Sequence, residues 1–352
     1  MLKIQYLLPI LIVICRLSEV SAQSDTIYLA GDAGEYTYLT EGLITLKDDL
    51  GVGSPNAMII FLGDNVYKKG TIFSENWAAK LGTQLEVVER FNGNVAFVPG
   101  NHDWQNNRWK GKESILHQGA YLDSALANSE RSIAGLFPKR AFPGPEHYDM
   151  QNTRVIFIDS QWWFQQIFRP VGRDRGKGKM KEKFLLDLST LLDEAHELDL
   201  KVLIAAHHPL FSIGHHGAPK QPQRFISNFV LFPLHILGLD RLFRQDIAQP
   251  SYRRFRKKIF KVFSESKLDA SNLIWAAGHE HHLQYSRSQS MGFHHVVSGS
   301  GSKLSDYHMD LMQKSWNRDA QFVYPLEQKP LDPKLGFIKV IITKDEINIL
   351  IN

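Results

Sequence analysis

Cysteine is almost missing from this chain of 352 residues, because Cys15 is the only one. Disulfide bonds within the chain are therefore excluded, and the core, hydrogen bonds and any bound metal must stabilise the fold. The sequence also has no internal repeat and no low-complexity linker. An apolar fraction of 43% excludes wholesale disorder. The length allows one large α/β domain or two small ones, and the lack of a linker favours one.

The first 22 residues have the features of a secretory signal peptide. A basic start precedes an apolar run over residues 6–15 and small residues that end at Ala22. The run is short for a membrane span, although an uncleaved anchor is an alternative. We expect cleavage after Ala22, which leaves residues 23–352 as one domain. Loss of Cys15 with this segment fits a bacterial periplasmic or secreted protein better than an animal extracellular one.

Apolar, β-branched runs predict six strands, and each run ends in polar residues. The runs are TIYLAGD (26–32), AMIIFLGD (57–64), NVAFVPGNHD (94–103), RVIFIDS (154–160), KVLIAAHHP (201–209) and NLIWAAGHE (272–280). Segments 74–91 and 181–198 between them have helical periodicity. Continuous apolar strands that alternate with amphipathic helices indicate strands covered on both faces, and hence an α/β architecture.

Oxygen and nitrogen donors recur at the carboxyl ends of five of these strands. They are Asp32, Asp64, Asn101 with His102, His207 and His279. Sites of open α/β sheets assemble at this edge. Each motif alone is compatible with an ordinary role, such as a helix cap or a histidine bonded to a backbone carbonyl. A cluster of five is costly to bury without a cation, so together they predict a metal site.

The order of the motifs over residues 26–301 is Asp, Gly-Asp-x-x-Tyr, Gly-Asn-His-Asp, His and Gly-His-x-His. This order resembles the calcineurin-like metallophosphoesterases and, more narrowly, the purple, tartrate-resistant acid phosphatases. The resemblance implies a four-layer α/β/β/α sandwich, a dinuclear metal centre and hydrolysis of phosphomonoesters at acidic pH.

Tyr67 is the feature that points to the purple acid phosphatases. Most metallophosphoesterases begin with Asp-x-His, but Gly34 stands where that histidine would be. A phenolate from Tyr67 would fill the vacancy and suits Fe(III) better than Zn(II) or Mn(II). The alternative is a tyrosine that only packs over the sheet edge.

The resemblance also implies which residues hold each metal. The ferric site would take Asp32, Tyr67 and His281, the divalent site Asn101, His207 and His279, and Asp64 would bridge them. The second metal is left open among Fe(II), Zn(II) and Mn(II). Two adjacent cations would activate water and offset the charge of an anionic substrate.

Three further residues are candidates for catalysis. His102 is outside the ligand set and adjoins Asn101, so it is the leading general acid or transition-state stabiliser, and Asp103 could orient it. The resemblance places a second substrate-facing histidine at His216, although His215 makes this register ambiguous.

A basic insertion interrupts the family pattern at residues 220–262. It has ten Lys and Arg against two Asp and carries aromatic and aliphatic residues as well. A helical pair with a solvated basic face, a lid that attracts polyanions, and a peripheral membrane contact are the alternatives. A second basic segment covers residues 168–183.

The sequence therefore predicts an exported dinuclear phosphatase with a phosphate-ester substrate. A phosphodiesterase or a phospholipid or lipid-phosphate hydrolase on the same core is the alternative within the enzyme class. A non-catalytic metal-binding or scaffold protein is the alternative outside it. No recognised module supports specific nucleic-acid binding, and the oligomeric state is left open.

Overall fold

The computed structural model describes residues 24–68, 70–106, 108–127, 130–139, 143–165, 177–217, 249–325 and 332–352. The predicted signal peptide lies outside these residues, as does the insertion up to residue 248.

Two mixed β-sheets form the centre of the described structure. The first has six strands in the order β13-β12-β1-β2-β3-β4, and the second has seven in the order β11-β9-β10-β8-β7-β6-β5. The strands are β1 (Asp25–Ala30), β2 (Ala57–Phe61), β3 (Asn94–Phe97), β4 (Ala134–Leu136), β5 (Glu146–Asp149), β6 (Thr153–Phe157), β7 (Lys201–Ala205), β8 (Leu273–Ala277), β9 (Leu283–Ser288), β10 (His294–Ser298), β11 (Ala320–Tyr324), β12 (Ile338–Ile342) and β13 (Ile347–Ile351). All six strands predicted from the sequence are among them.

Seven α-helices lie in the described residues. They are α1 (Glu41–Leu50), α2 (Gly70–Phe73), α3 (Trp77–Val87), α4 (Gly111–Leu126), α5 (Ser160–Phe164), α6 (Lys177–Glu197) and α7 (Pro250–Glu265). Thr40 caps α1, since its side chain accepts a hydrogen bond from the Leu43 amide. Both periodic segments of the sequence correspond to helices, α3 and α6.

Alternate residues of the strands enter two different hydrophobic clusters. Ile27 and Leu29 of β1 pack with Leu203 of β7 and Ile274 of β8 in a cluster between the two sheets. Tyr28 and Ala30 of β1 belong instead to the cluster on the helix side of the sheet. This period of two buries both faces of each sheet. The fold is the predicted α/β sandwich of two sheets with helices outside.

The strand directions bring the candidate residues together. β1, β2 and β3 are parallel to one another in the first sheet, and β7 is parallel to β8 in the second. The carboxyl ends of the strands in each set therefore lie at one edge of their sheet.

The described end of the insertion is the amphipathic helix α7. Its apolar side, which includes Phe255 and Ile259, is buried in the core. Its opposite side exposes Arg253, Arg254, Lys257, Lys258 and Lys261. Within the described ranges, none of the helices combines the length and apolar composition needed to cross a membrane.

Candidate metal centre

Each predicted ligand follows a strand by only a few residues. Asp32 comes two residues after β1, and Asp64 comes three after β2. Asn101 follows β3, His207 follows β7 and His279 follows β8. The structure places these side chains and those of Tyr67 and His281 in one cluster, in which all but the partly exposed His281 are buried. Two groups can be distinguished within it.

The oxygen-rich half consists of Asp32, Tyr67 and His281. The Tyr67 hydroxyl donates to Asp32 Oδ1 at 2.7 Å and lies 3.1 Å from His281 Nε2. Asp32 Oδ1 and His281 Nε2 are 3.5 Å apart. Two oxygen donors and one imidazole nitrogen therefore face the same point.

The nitrogen-rich half consists of Asn101, His207 and His279. Asn101 Oδ1 is 2.9 Å from His207 Nε2 and 3.0 Å from His279 Nδ1, and the two nitrogens are 3.1 Å apart. His207 Nδ1 donates to the Leu62 carbonyl at 2.8 Å. This bond leaves Nε2 as the atom with a free lone pair.

Asp64 lies between the two halves. Its Oδ1 is 3.5 Å from His207 Nε2, and suitable donor atoms of Asp32, Asp64 and His207 all lie within 4.8 Å of one another. Burial acts to raise the pKa of Asp64, but the imidazoles of His207 and His102 lower it to about 2. The carboxylate is therefore ionised at any ordinary pH.

The donor set fits metal ions. Carboxylate, amide oxygen and neutral imidazole are ligands that Fe, Zn and Mn accept. Burial and the neighbouring imidazoles lower the pKa of His279 well below its ordinary value, so this ring is neutral. Burial and Asp32 raise the pKa of Tyr67 well above its ordinary value. A phenolate at Tyr67 therefore requires a strong cation beside it.

Gly34 explains why the first motif has no histidine. A Cβ atom built at position 34 would lie 2.2 Å from the carbonyl carbon and oxygen of Asn65. The two loops are also hydrogen-bonded there, because the Gly34 amide donates to the Asp64 carbonyl and the Tyr67 amide donates to the Gly34 carbonyl, each at 3.1 Å. No side chain fits at position 34 with the loops in this position, and Tyr67 extends into the cluster instead.

Three of the proposed ligands have left-handed backbone conformations. The φ angles of Asp32, Asp64 and His279 are +58°, +54° and +72°. Such conformations cost on the order of 1–3 kcal/mol each for residues other than glycine and concentrate at functional sites. The surrounding structure holds all three, which indicates that their orientation matters.

His102 lies at the edge of the cluster, between the Lys68 carbonyl and the Asp64 carboxylate. Its ring Nδ1 lies 3.1 Å from the Lys68 carbonyl oxygen, and its Nε2 lies 4.0 Å from Asp64 Oδ2. The side chain is 25% exposed, compared with 16% for His281, and the other proposed ligands are buried. Its Nε2 can therefore reach a substrate placed on the cluster.

Asp103 has partners other than His102. Its carboxylate accepts hydrogen bonds from the backbone amides of Gly100 and Val66 at 2.7 and 3.0 Å and from the Gln118 side chain at 3.0 Å. Burial and the nearby Asp64 raise the pKa of Asp103 to about 7. Asp103 therefore fixes the two loops that carry Asp64 and Asn101.

His216 lies against the nitrogen-rich half. Its ring stacks on that of His279 with centroids 4.1 Å apart, and its Nδ1 is 3.2 Å from Glu280 Oε2. Burial acts to lower the pKa of His216, but the Glu280 carboxylate raises it above its ordinary value. Sequence reasoning missed Glu280, although it lies within the Gly-His-Glu-His motif.

Buried polar groups fix the loop that connects His207 to His216. His295 Nε2 accepts from the Leu210 amide at 2.9 Å, and the Asn317 side chain bonds both the amide and the carbonyl of Ser212. Tyr252 of α7 donates to the Pro209 carbonyl at 2.6 Å. These partners come from distant parts of the chain, so no local signal in the sequence points to them.

Comparison with known proteins agrees with this geometry. The profile of the calcineurin-like phosphoesterases matches residues 25–283, which is more than half of the chain. The chain belongs to the calcineurin-like phosphoesterase family. Membership implies a dinuclear metal centre, and the two halves joined by Asp64 are the residues that would hold it. No curated protein sequence matches the chain.

Two solved structures share the fold of this phosphoesterase at low sequence identity, and a third aligns with it at a lower TM-score. GAP50, described as the anchor in the inner membrane complex of Plasmodium, has a TM-score of 0.55 and 15% identity, over 93% of this chain and 84% of that one. PhoD has a TM-score of 0.51 and 12% identity, over 91% and 64%. A dimetal phosphatase from Danio rerio has a TM-score of 0.46 and 12% identity, over 93% and 95%.

Proposed function

We propose that this phosphoesterase is an exported phosphatase of the purple acid phosphatase type, which hydrolyses phosphomonoesters at acidic pH with an Fe(III)–M(II) pair. The observation that carries the proposal is the place of Tyr67. Its hydroxyl lies among the carboxylate and imidazole donors of the oxygen-rich half, and Gly34 has no room for the usual histidine. A hard phenolate donor favours a ferric ion.

The oxygen-rich half would hold the ferric ion, the nitrogen-rich half would hold Fe(II), Zn(II) or Mn(II), and Asp64 would bridge them. When bound, the pair supplies charge neutralisation and activation of water for attack on phosphorus.

A histidine side chain of the protein then protonates the leaving alcohol. Because His102 Nδ1 lies at hydrogen-bonding distance from the Lys68 carbonyl, a protonated ring directs Nε2–H towards the space beside Asp64. From there it can donate a proton to the leaving oxygen. His216, held by Glu280, presents a second imidazole on the other half of the cluster.

Two measurements test the metal assignment. Elemental analysis should find two metals per chain, one of them iron, and a visible spectrum should show a phenolate-to-iron band. A colourless protein with two bound zinc ions would contradict the ferric assignment.

Turnover of two esters tests the reaction. The metallated protein should hydrolyse p-nitrophenyl phosphate at acidic pH, and a chelator should abolish this. Preference for bis-p-nitrophenyl phosphate would favour the phosphodiesterase alternative. Hydrolysis of neither ester would favour a scaffold role.

The variant His102→Ala tests the proton donor. Turnover of p-nitrophenyl phosphate should fall by roughly 10²- to 10⁴-fold while both metals remain bound. Loss of a metal would make His102 a ligand instead.

A further inference from the structure

The turn that follows Asn101 brings a second asparagine, Asn106, back against it. The Asn106 backbone amide donates to the Asn101 carbonyl at 2.8 Å. The two side chains also bond each other, because Asn101 Nδ2 donates to Asn106 Oδ1 at 2.8 Å. Asn106 is thus joined to a proposed metal ligand through both its backbone and its side chain, and the reaction described above gives it no role.

The turn reaches this geometry through two consecutive residues in the left-handed conformation. The φ angles of Gln105 and Asn106 are +55° and +51°. Glycine adopts such angles freely, and asparagine adopts them more readily than most other residues. Glycine would therefore satisfy the backbone at position 106, and what asparagine adds there is its side-chain amide.

The Asn101 amide can face the nitrogen-rich half in two ways. An amide has an oxygen on one side and an NH₂ group on the other, and only the oxygen is a metal ligand. In the structure Oδ1 faces inward, 2.9 Å from His207 Nε2 and 3.0 Å from His279 Nδ1. Because His207 Nδ1 donates to the Leu62 carbonyl, the inward-facing Nε2 carries a lone pair.

This inward orientation of the oxygen is unfavourable unless it is held in place. The Asn101 oxygen and His207 Nε2 both carry lone pairs, and without a cation between them they repel each other. Rotation of the amide by half a turn would bring Nδ2 to this position, where it could donate to His207 Nε2. Asn106 opposes the rotation, because its oxygen accepts from Asn101 Nδ2 in the present orientation and would face the Asn101 oxygen in the other.

We propose that Asn106 is a positioning residue, which selects the metal-binding orientation of Asn101 and so raises the affinity of the nitrogen-rich half for its divalent metal. This step rests on the part of the proposed function that places a divalent metal there, and it needs neither the ferric ion nor a particular substrate. Asn106 acts through Asn101, since its own oxygen is engaged with Asn101 Nδ2.

Zinc affinity is the direct readout of this role. Turnover would not isolate it, because Asn106 Nδ2 also lies 3.4 Å from His102 Nδ1. The zinc-loaded full chain is placed in competition with a chelator of known affinity, and the zinc ion of the nitrogen-rich half is the one that His279→Asn removes. Asn106→Gly should weaken this zinc ion by about 10- to 100-fold, the range found for residues that orient a metal ligand.

Asn106→Asp is the conservative variant. Its carboxylate can accept from Asn101 Nδ2 but cannot donate, and aspartate also tolerates a positive φ. The zinc affinity should therefore equal or exceed that of the wild type. A loss as large as that in Asn106→Gly would contradict the proposed role, because the acceptor for Asn101 is still present.

A second background separates the orientation of the amide from the stability of the turn. Asn101→Asp replaces the amide with a carboxylate, which offers oxygen in either orientation. In that background Asn106→Gly should weaken zinc by less than about threefold, because there is no wrong orientation to exclude. An equal loss in both backgrounds would overturn the proposal, since Asn106 would then only stabilise the turn.

The chain offers a matched control at Asn76. This residue is exposed, has a φ angle of +56° and makes no side-chain hydrogen bond that caps α3. Asn76→Gly should leave zinc affinity unchanged, and a loss equal to that in Asn106→Gly would refute a specific role for Asn106.

The wild type distinguishes failure of this step from failure of the proposed function. If the wild type binds no zinc at the nitrogen-rich half, the metal assignment fails and the role of Asn106 fails with it. If the wild type binds zinc there and Asn106→Gly binds it equally well, only the role of Asn106 is wrong.

Discussion

The two halves of the metal centre are assembled in different ways. In the oxygen-rich half, short motif loops hold one another directly: the Tyr67 amide donates to Gly34, and the Asp32 carboxylate accepts the His279 amide at 2.7 Å. In the nitrogen-rich half, His207 is on a long loop that depends on buried side chains such as His295 and Asn317. The first half is thus held by contacts between the motif loops themselves, whereas the second also depends on buried side chains outside the motifs.

This difference has a chemical counterpart. The oxygen-rich half offers a carboxylate and a phenol, which bind a trivalent ion strongly, and the nitrogen-rich half offers neutral imidazoles and an amide. We expect the nitrogen-rich half to lose its metal more readily when either its ligands or its supporting residues change.

The largest effect should come from the bridge, which belongs to both halves. Asp64→Asn keeps the size and the left-handed conformation, which asparagine tolerates. It removes the shared negative charge, so both metals should be weakened. Because each cation supplies several kcal/mol to catalysis, activity should fall on the order of 10³-fold or more. Elemental analysis that finds both metals at wild-type occupancy would contradict the bridging role.

Substitution of a ligand of the nitrogen-rich half should lower activity less and should affect only the metal of that half. His279→Asn, again compatible with a positive φ, removes Nδ1 from Asn101 and His207. The divalent metal should be lost at micromolar metal concentration, with activity lower by about 10²-fold, whereas iron and the visible band remain. Loss of both metals together would show that the halves are not separable.

Tyr67→Phe is the matching change in the oxygen-rich half. Without the hydroxyl, which lies within 3.1 Å of both Asp32 and His281, the visible band should disappear. Asp32, Asp64 and His281 remain as iron ligands, so we expect iron to stay bound and activity to fall by about 10-fold. The check is the spectrum together with the iron content, and an unchanged band would remove Tyr67 from the metal.

The sequence predicted those features of the molecule that follow from local pattern. The apolar run of β7 and the polar residues after it are enough to place His207 at a strand end, because a buried strand must end where polar groups begin. Together with its family resemblance, the sequence also singled out Tyr67 from the absence of a histidine at Gly34. The structure adds the steric reason, since that reason depends on how closely the loop at Asn65 approaches.

Residues that act across long distances in the chain were not predictable in this way. Glu280 holds His216 from 64 positions away, and His295 holds Leu210 from 85. Asp103 was expected to orient His102, but in the fold its carboxylate faces the backbone amides of a buried turn. Such partners depend on which loops meet, and a single sequence contains no periodic signal for that.

The smallest expected effect is on the pH dependence of stability, which His295 links to the nitrogen-rich half. His295 is fully buried, and burial lowers its pKa to about 3, below the unfolded value of about 6.5. The unfolded chain therefore binds more protons between these values, so stability is lost as the pH falls from 6.5 towards 3. At pH 4.5 the free energy of unfolding is lower by about 2–3 kcal/mol for this reason. His295 bonds the loop of the nitrogen-rich half at Leu210.

His295→Gln should remove that dependence, because a glutamine oxygen can still accept from the Leu210 amide but does not titrate. We expect the free energy of unfolding in urea to be about 1 kcal/mol lower than wild type at pH 7 and equal or higher at pH 4.5. The exposed variant His147→Gln should behave like the wild type at both pH values.

Acidification should also release the divalent metal before the iron in the wild type, and this difference should be smaller in His295→Gln. If the iron leaves first in both proteins, the long-range support of the nitrogen-rich half is not what limits it in acid.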